Sequence, residues 1–451
     1  MEQRRMNIFH VPPILGKIMD YLSEYNCIEL ELAFGDDRVF LKIFHELFCE
    51  KKKLSIVYSS LKGGTIVSDN DFHNHFQLDE DSMVLVNPSM SELKTFAFCK
   101  RVSGYIEKRW VCRTFRRYCQ SNKYMTHMRI CFPYSACLEL SLRDPIFNNK
   151  PYLEVIELRG CIVSDELEAE DCRPRELIFE DCDFDKTRIL LNPDSVKKIS
   201  LLNCDFKDGF GYDFGRFKNL RELVIDAATD VENRRGKDHD LTQLRGLDNL
   251  TWLYLDDSYG NPIRRVSFLE GLTNLRKLDI QQLDIVASLD PLRTLVNLNT
   301  LFVRFNDTTD RHFRAYPDYS CLKRLKKLQS LALIDLTYKI SLKPLGSLEN
   351  LNELKLSFCF RCNKFNNKSS LFFLKEMKNL KILEIVFYHA KYFYLPPTLN
   401  TLKLDYVTFE KIDTSNSPKV KEIFATCVTG DLRPLLKKNR TARVIYGSSN
   451  R

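Results

Sequence analysis

The sequence lacks the local motifs on which most enzymes build an active site. It contains no glycine-rich phosphate loop, no nucleophile elbow and no dinucleotide-binding fingerprint. Its 8 histidines show no metal-ligand spacing, and Cys359 and Cys362 form a Cys-x-x-Cys pair without a suitable second pair, whereas a structural zinc site needs four ligands. The sequence therefore predicts a protein without enzymatic activity, metal or cofactor.

Long hydrophobic runs are missing as well. No apolar stretch approaches the roughly 18–20 residues that span a bilayer. The first residues, MEQRRMNIFHVPPIL, contain no sustained apolar segment and no small-residue cleavage site of a secretory signal. The 15 cysteines are an odd number, which favours free thiols in a reducing compartment over a disulfide framework. We therefore expect a cytoplasmic or nuclear protein without a membrane partner.

What the sequence does contain is a repeat. Leu-x-x-Leu-x-Leu, or a close variant, starts twelve times between Leu153 and Val420, at intervals of 19 to 30 residues. This pattern and period are typical of leucine-rich repeats, in which each coil has one short strand and a return segment. The sequence predicts an α/β solenoid, a leucine-rich-repeat horseshoe with a concave parallel sheet, over residues 151–430. The clearest copies start at Leu250, Leu275, Leu298, Leu328 and Leu351.

Four cysteines occupy one position of the repeat, three residues after the last apolar residue of the strand. Leucine-rich repeats place Asn or Cys at this turn. A buried thiol is small, nearly apolar and a weak hydrogen-bond donor, so it suits a tight turn. The sequence therefore predicts a structural role for Cys161, Cys182, Cys204 and Cys359.

The third, fifth and seventh positions of each Leu-x-x-Leu-x-Leu unit are predicted to face away from the core, because side chains alternate along a strand. Over the twelve coils these positions carry eleven acidic and six basic residues. The concave face is therefore expected to be acidic, although the whole chain has a formal net charge of +8.

Aromatic and charged residues of three neighbouring coils fall on these outward positions. Aromatic and arginine side chains supply most of the energetic anchors in protein interfaces. We therefore predict that the concave face holds a protein substrate with a basic or mixed segment; the alternative is that the aromatic rings only pack against neighbouring strands. The predicted substrate-binding residues are Trp252, Tyr254, Asp256, Asp279, Phe302 and Arg304.

Residues 1–50 do not show the repeat. The segment Val11-Pro12-Pro13-Ile14-Leu15 leads into Ile18, Tyr21 and Leu22, a helical spacing that follows a proline start signal. We predict a small helical module here. A module of this size is near the lower limit for an independent core, so it is expected to pack on a partner or on the solenoid.

This opening resembles the F-box family. The match lies in Val11–Leu15, Ile18 and Tyr21-Leu22, and Cys27-Ile28-Glu29-Leu30 stands where the family has an acidic residue followed by leucines. The chain lacks the family's usual glutamate after the proline and the tryptophan of its closing helix. The resemblance implies a substrate-recognition subunit of a ubiquitin ligase, whose module binds a Skp-type adaptor and, through it, a cullin. The residues implied in adaptor binding are Pro12, Ile14, Leu15, Ile18 and Leu22.

Two other readings remain open. In the first, the chain is a leucine-rich-repeat scaffold without a ubiquitin role, and its N-terminal helices only cap the stack. In the second, a basic segment at residues 100–117, which includes Trp110 and Phe115, meets nucleic acid. A net charge of +8 is dilute for that role, and a solvated helix with inward-packed aromatics is the simpler interpretation of this segment.

The remaining regions are less regular. Residues 51–150 are expected to form degenerate repeats and an N-terminal cap, with strands near residues 54–58 and 83–86. Residues 431–451 are expected to form a C-terminal cap and tail, because they are polar and end the repeat.

Overall fold

A computed structural model of the chain divides into two compact units, Met1–Gly211 and Tyr212–Arg451, which we call unit 1 and unit 2. The predicted F-box-like module and its five adaptor-binding residues lie outside the described part. The described residues are 55–59, 84–86, 101–105, 119–120, 122, 125–132, 139–141, 145–164, 172–184, 193–206, 214–227, 241–257, 263–284, 288–306, 318–336, 340–359, 371–416 and 419–447.

The strands of unit 1 are β1 (Ser55–Ser59), β2 (Val84–Val86), β3 (Arg101–Tyr105), β4 (His127–Cys131), β5 (Glu139–Ser141), β6 (Val155–Arg159), β7 (Ile162–Ser164), β8 (Glu176–Glu180), β9 (Asp183–Phe184) and β10 (Lys198–Phe206). They form two parallel ladders. The longer ladder has the order β2-β1-β3-β4-β6-β8-β10. The shorter ladder joins β5, β7 and β9 to the end of β10. Each complete coil thus contributes one strand to each ladder.

The strands of unit 2 are β11 (Glu222–Ala227), β12 (Trp252–Asp257), β13 (Lys277–Asp284), β14 (Thr300–Asn306), β15 (Ser330–Leu336), β16 (Glu353–Phe358), β17 (Ile382–Tyr394), β18 (Thr401–Asp413), β19 (Glu422–Thr426) and β20 (Arg443–Tyr446). Each strand pairs in parallel with the next in the chain. A short helix, α1 (Arg433–Lys438), precedes β20. One strand per repeat in unbroken parallel order is the leucine-rich-repeat arrangement that the sequence predicts.

The leucines of the repeat build the core. Leu278 and Leu301 are opposite one another in β13 and β14 and are 0% and 1% exposed. In β6 and β8 buried residues alternate with partly buried ones, as expected when one face of a pleated strand packs inward. Burying a leucine contributes roughly 1.5–3 kcal/mol, so stacking the coils offsets much of the cost of ordering each of them.

The described return segments before β11 to β17 are short 3₁₀ helices rather than α-helices, which corrects the α part of the predicted α/β class there. Leu289, Leu292, Leu295 and Leu298 show why, because they recur every three residues and are all buried. The backbone N–H groups of Leu292, Leu295 and Leu298 each donate to the carbonyl three residues earlier, at 2.9–3.0 Å. A 3₁₀ helix has three residues per turn, so this spacing places all four leucines on one face. The 3₁₀ segments are Phe214–Arg216, Thr242–Leu244, Ser267–Leu269, Asp290–Thr294, Tyr319–Arg324, Lys343–Ser347 and Phe372–Glu376 in unit 2, and Pro145–Phe147 in unit 1.

Many coils turn through one residue in the left-handed region, two places after the last apolar strand position. Gly160 has φ 67°, and a Cβ there would lie 2.3 Å from the carbonyl oxygen of Phe132. Glycine is therefore required in this coil, both for its φ and for the close approach. Seven other coils place a non-glycine residue in the left-handed region at this point: Asp181, Asn203, Gln282, Asp335, Phe387, Tyr406 and Cys427.

The residue after this turn points into the core, and in unit 1 it is cysteine. Cys161, Cys182 and Cys204 are buried, and the Sγ atoms of Cys161 and Cys182 are 3.5 Å apart. The thiol of Cys182 donates to the carbonyl of Leu158 at 3.3 Å. Cys359 is also buried, so the predicted burial of these four cysteines is confirmed. The thiols of Cys182 and Cys204 donate to backbone carbonyls at the turn, as suits a small, weak hydrogen-bond donor.

The parallel strands extend beyond the predicted solenoid limits. β1 to β5 lie within residues 51–150, and β20 lies within the predicted C-terminal cap. These regions lack clear leucine patterns, yet their backbones pair in the same parallel sense. Among the residues that the structure describes, no helix is long and apolar enough to cross a membrane.

Candidate functional site

The six predicted substrate-binding residues come together on three adjacent strands of unit 2. Trp252, Tyr254 and Asp256 alternate along β12 with buried leucines. Tyr254 lies opposite Asp279 of β13, and Asp279 lies opposite Phe302 of β14. Strands in a sheet are about 4.8 Å apart, so these three side chains form one row. We call the third, fifth and seventh positions of the coils the outward face.

A lysine covers one face of the tryptophan. Nζ of Lys277 lies 4.4 Å from the centroid of the Trp252 ring, within the range of a cation–π interaction. The indole Nε1 is buried and has no hydrogen-bond partner among the described residues. The sequence predicts Trp252 as an open anchor, whereas the structure shows a ring that is already partly covered. A partner would therefore displace Lys277 or pack against the remaining edge of the indole.

Three carboxylates surround the tyrosine. The hydroxyl of Tyr254 donates to Oδ2 of Asp256 at 3.3 Å. Burial raises the pKa of Tyr254, and the negative charges of Asp256, Asp226 and Asp279 raise it further. Burial also raises the pKa of Asp279, while the hydrogen bond from Nε2 of Gln281, at 2.7 Å, opposes that rise. This cluster of negative charge around an aromatic ring suits a cationic side chain of a partner.

The last two predicted residues lie on β14. Phe302 is partly buried and is opposite Ala332 of β15, whose methyl group adds little bulk on that side. Arg304 is exposed, and its Nε lies 3.8 Å from Oδ2 of Asp335. An ion pair at this distance on the surface contributes at most about 1 kcal/mol. Arg304 therefore remains available to a partner.

Ion pairs neutralise other parts of the outward face. In unit 2, Nζ of Lys355 lies 2.7 Å from Oε1 of Glu384. In unit 1, Nζ of Lys198 lies 3.4 Å from Oε2 of Glu176. The excess of acidic residues that the sequence predicts is thus unevenly distributed, and three of these acids are close to Tyr254.

The predicted alternation fails at the seventh position of two coils. Ile334 of β15 and Ser357 of β16 are 6% and 7% exposed, so neither is on the outward face. The register between these strands shifts between Leu333 and Leu336. An extra residue at such a shift bends the strand and turns the next side chain inward. None of the six predicted site residues is affected.

Two residues of the cluster have roles that the predicted site left out. Asp226 is opposite Asp256 in the neighbouring strand, and Lys277 stacks on Trp252. Both belong to the outward positions that the repeat identifies. Their contacts depend on which coils are neighbours. Aligning the copies of Leu-x-x-Leu-x-Leu shows which residues of neighbouring coils lie side by side.

The other motifs give no site in the described part of the chain. There, no group of three or more His, Cys, Asp or Glu residues is placed to hold a metal ion. Cys359 is buried at its turn, and Cys362 lies outside the described residues. In the basic segment at 100–117, Arg101–Tyr105 forms strand β3, which corrects the predicted helix over these five residues. Residues 106–117 lie outside the described part.

Three solved structures show a limited similarity to this chain. A leucine-rich-repeat protein of Leptospira interrogans is 12% identical, with a TM-score of 0.49, over 78% of this chain and 91% of that chain. An internalin of Listeria monocytogenes is 15% identical, with a TM-score of 0.39, over 74% of this chain and 89% of that chain. A second internalin of Listeria monocytogenes is 20% identical, with a TM-score of 0.29, over 60% of this chain and 83% of that chain.

No protein-family model matches the chain, and no curated protein sequence matches it. The fold is nevertheless defined by the chain's own features. In unit 2 its strands follow one another in parallel, one to each repeat, and its repeated leucines are buried between them. The chain has a leucine-rich-repeat solenoid fold.

Proposed function

We propose that this chain recognises a protein partner through the outward face of β12, β13 and β14. The observation that supports this most strongly is the row of Tyr254, Asp279 and Phe302 on three adjacent strands. Trp252 flanks the row on one side and Arg304 on the other. Large aromatic side chains next to charged groups are the usual composition of energetic anchors in interfaces.

The charge around Tyr254 indicates the kind of partner. Three carboxylates lie close enough to raise the pKa of the tyrosine, and such a field attracts a basic or mixed segment. Complementary charge mainly accelerates the encounter, whereas desolvated aromatic contacts slow dissociation. We therefore propose that Asp256 and Asp279 guide the partner and that Trp252, Tyr254 and Phe302 retain it.

We further propose that residues 1–50 dock on a Skp-type adaptor and that the chain presents its partner to a ubiquitin ligase. The support is the resemblance of Pro12–Leu22 to the opening of an F-box, followed by leucine-rich repeats. The adaptor, the cullin and the enzymes that they recruit would supply the chemistry. This chain would contribute positioning. A scaffold without a ubiquitin role remains the alternative.

Co-purification with a recombinant Skp-type adaptor separates these two proposals. Leu15→Asp together with Leu22→Asp should abolish co-purification, because carboxylates replace two apolar residues of the predicted docking helix. The full chain with Trp252→Ala is the matched control and should bind the adaptor normally. Normal adaptor binding by the double variant would contradict an F-box-like docking helix, and failure of the wild-type chain to bind the adaptor would leave the scaffold.

Trp252→Ala tests the recognition surface itself. Partners captured by the wild-type chain from cell extract should be depleted with this variant, and a recombinant partner should bind about 1–4 kcal/mol more weakly. Phe424→Ala is a matched control, since Phe424 is an outward aromatic of β19 with Nζ of Lys403 5.8 Å from its ring centroid. Equal losses from the two variants would mean that recognition does not reside at β12–β14.

A further inference from the structure

A polar groove crosses the beginning of the strands in unit 2, beside the outward face. It has a volume of about 810 Å³ and spans the coils of β11 to β15. Its lining comes from the residues immediately before and after the first leucine of each repeat, and from Glu222 at the start of β11. A smaller groove of about 350 Å³ shares Asn299 and Lys327 with it and reaches the coil of β17. The two grooves therefore adjoin along the beginnings of the strands.

A ladder of asparagines fixes the floor of this groove. Nδ2 of Asn249 donates to the carbonyl of Lys218 at 2.9 Å, and Nδ2 of Asn274 donates to the carbonyl of Asp248 at 2.7 Å. Asn297 repeats the bond one coil later, to the carbonyl of Thr273 at 2.8 Å. Each side chain ties its coil to the preceding one, so the groove is rigid before any ligand arrives.

Three cations line the groove at every second coil. Arg221 belongs to the coil of β11, Arg276 to the coil of β13, and Lys327 to the coil of β15. Nζ of Lys327 donates to Oδ1 of Asn297 at 2.7 Å, which holds it in the lining. Arg221 and Arg276 are exposed and form no ion pair with the described residues. Glu222 is the single carboxylate among the described lining residues, so the groove is positive.

The spacing of these cations selects a ligand. Neighbouring coils are about 4.8 Å apart, so the three cations recur about every 10 Å. A polyproline II segment rises about 3.1 Å per residue with three residues per turn, and every third side chain therefore recurs at about 9.3 Å on one side. Acidic residues at every third position of such a segment would meet the three cations in succession.

We propose that this groove binds an acidic segment of a protein partner in an extended, polyproline-II-like conformation. The asparagine side chains and Thr251 offer further polar groups to the backbone of that segment. Single-stranded nucleic acid fits less well, because the nine described lining residues include no aromatic side chain on which a base could stack. This second site has the opposite charge to the cluster around Tyr254 and takes the opposite kind of segment.

Two labelled peptides of identical composition test the proposal. One repeats Glu-Pro-Pro three times, and the other contains the same residues with the three glutamates in succession. We expect the full chain to bind the repeated peptide at least about fivefold more tightly, measured by fluorescence anisotropy at low salt. Equal affinity for the two peptides would overturn the proposed spacing.

Charge reversal locates the site. Arg221→Glu with Arg276→Glu should weaken binding of the repeated peptide by about tenfold or more, since each change replaces an attraction with a repulsion. The fold should be preserved, because the backbone carbonyls of residues 221 and 276 would still accept hydrogen bonds from the next coil. The donors are the N–H groups of Trp252 and Thr300, both at 3.0 Å. Lys421→Glu with Arg443→Glu, on the exposed start of β19 and β20, is the matched control and should bind normally.

Two outcomes would contradict the proposal at this stage. The first is undiminished peptide binding by the Arg221 and Arg276 variant with an unchanged melting curve. The second is tighter binding of an oligothymidylate than of the peptide, lost in the same variant, which would assign the groove to nucleic acid.

Discussion

Both units stack parallel strands coil upon coil, but the charges on their outward faces are arranged differently. In unit 1, Nε of Arg129 is 2.9 Å from Oε1 of Glu157, and Arg159 lies 3.3 Å from carboxylate oxygens of both Glu180 and Asp181. Basic and acidic side chains therefore alternate from coil to coil. In unit 2, three neighbouring strands bring their acidic residues together around Tyr254.

This difference explains how a solenoid can acquire a binding surface. In a parallel stack, the nearest neighbour of a side chain is the residue at the same position of the next coil, about 4.8 Å away. When opposite charges follow one another, the face neutralises itself. When like charges and aromatic rings follow one another, the face retains a field and an apolar surface for a partner. Unit 1 shows the first arrangement, and β11 to β14 show the second.

The largest effect should come from the core, where the units should not differ. Leu177→Ala in unit 1 and Leu278→Ala in unit 2 each remove a side chain that is 0% exposed. Each should lower the free energy of unfolding by about 2–5 kcal/mol in denaturant melts. Val296→Ala, at a site that is 46% exposed, is the control and should cost less than about 0.5 kcal/mol. A loss that small at Leu278 would show that the repeat register is wrong.

Charge reversal on the outward face should slow association of the partner when it is made in unit 2 but not when it is made in unit 1. Asp256→Lys with Asp279→Lys should slow association of the partner by about tenfold at low salt and less at high salt, because screening weakens the guiding field. Glu176→Lys with Glu180→Lys is the matched change in unit 1 and should leave association unchanged. Stopped-flow mixing over a range of salt concentrations measures both, and equal slowing would mean that overall charge, not the cluster, guides the encounter.

Thiol reactivity should distinguish a cysteine at the left-handed position of the coil turn from cysteines at the position that follows it. Cys427 occupies the left-handed position of its coil and is exposed, whereas Cys161, Cys182 and Cys204 follow that position and are buried. Burial raises the pKa of Cys172 in unit 1 to about 12, which disfavours the reactive thiolate there. Alkylation of the native chain at pH 8, followed by mass spectrometry, should modify Cys427 at least about a hundredfold faster than these four cysteines. Comparable rates would show that the cysteine turns open readily.

The smallest effect is expected for an ion pair of unit 2. Nζ of Lys375 is 2.7 Å from Oδ2 of Asp413, and this hydrogen bond lowers the pKa of Asp413 to about 2. Because an unfolded aspartate has a pKa of about 3.9, the pair stabilises the fold above about pH 4 and loses this contribution as pH falls towards 2. Both side chains are about one quarter exposed, so we expect less than about 1 kcal/mol.

Lys375→Met tests the direction of this pH dependence of stability. Denaturant melts of the variant should differ from those of the wild type above about pH 4 and coincide with them near pH 2. A difference that grows at low pH would contradict the assigned pair.

The strands could be predicted from the sequence because they depend on local alternation. The copies of Leu-x-x-Leu-x-Leu at Leu250, Leu275 and Leu298 align β12, β13 and β14 in the observed register. The 3₁₀ returns could have been predicted too, since a leucine every third residue fits three residues per turn. That spacing of apolar residues precedes each strand from β12 to β17, as in Leu289–Leu298.

The ion pairs and the turned-in side chains could not be predicted in the same way. The aligned copies of the repeat show which outward residues are neighbours, but neither they nor a count of acids and bases gives the distances between the charged groups. The burial of Ile334 and Ser357 depends on a register shift between β15 and β16, a three-dimensional property. The contact of Lys277 with the Trp252 ring likewise forms only when two coils stack.

A photo-crosslinking residue at Tyr254 tests most directly whether unit 2 holds the partner. Tyr254 and Ile178 occupy the same outward position of their coils, in β12 and β8, and both are partly buried. Benzoylphenylalanine at position 254 should give a crosslinked adduct with the recombinant partner, and the same residue at position 178 should give none. An adduct from position 178 alone, or equal adducts from both positions, would contradict recognition by β12–β14.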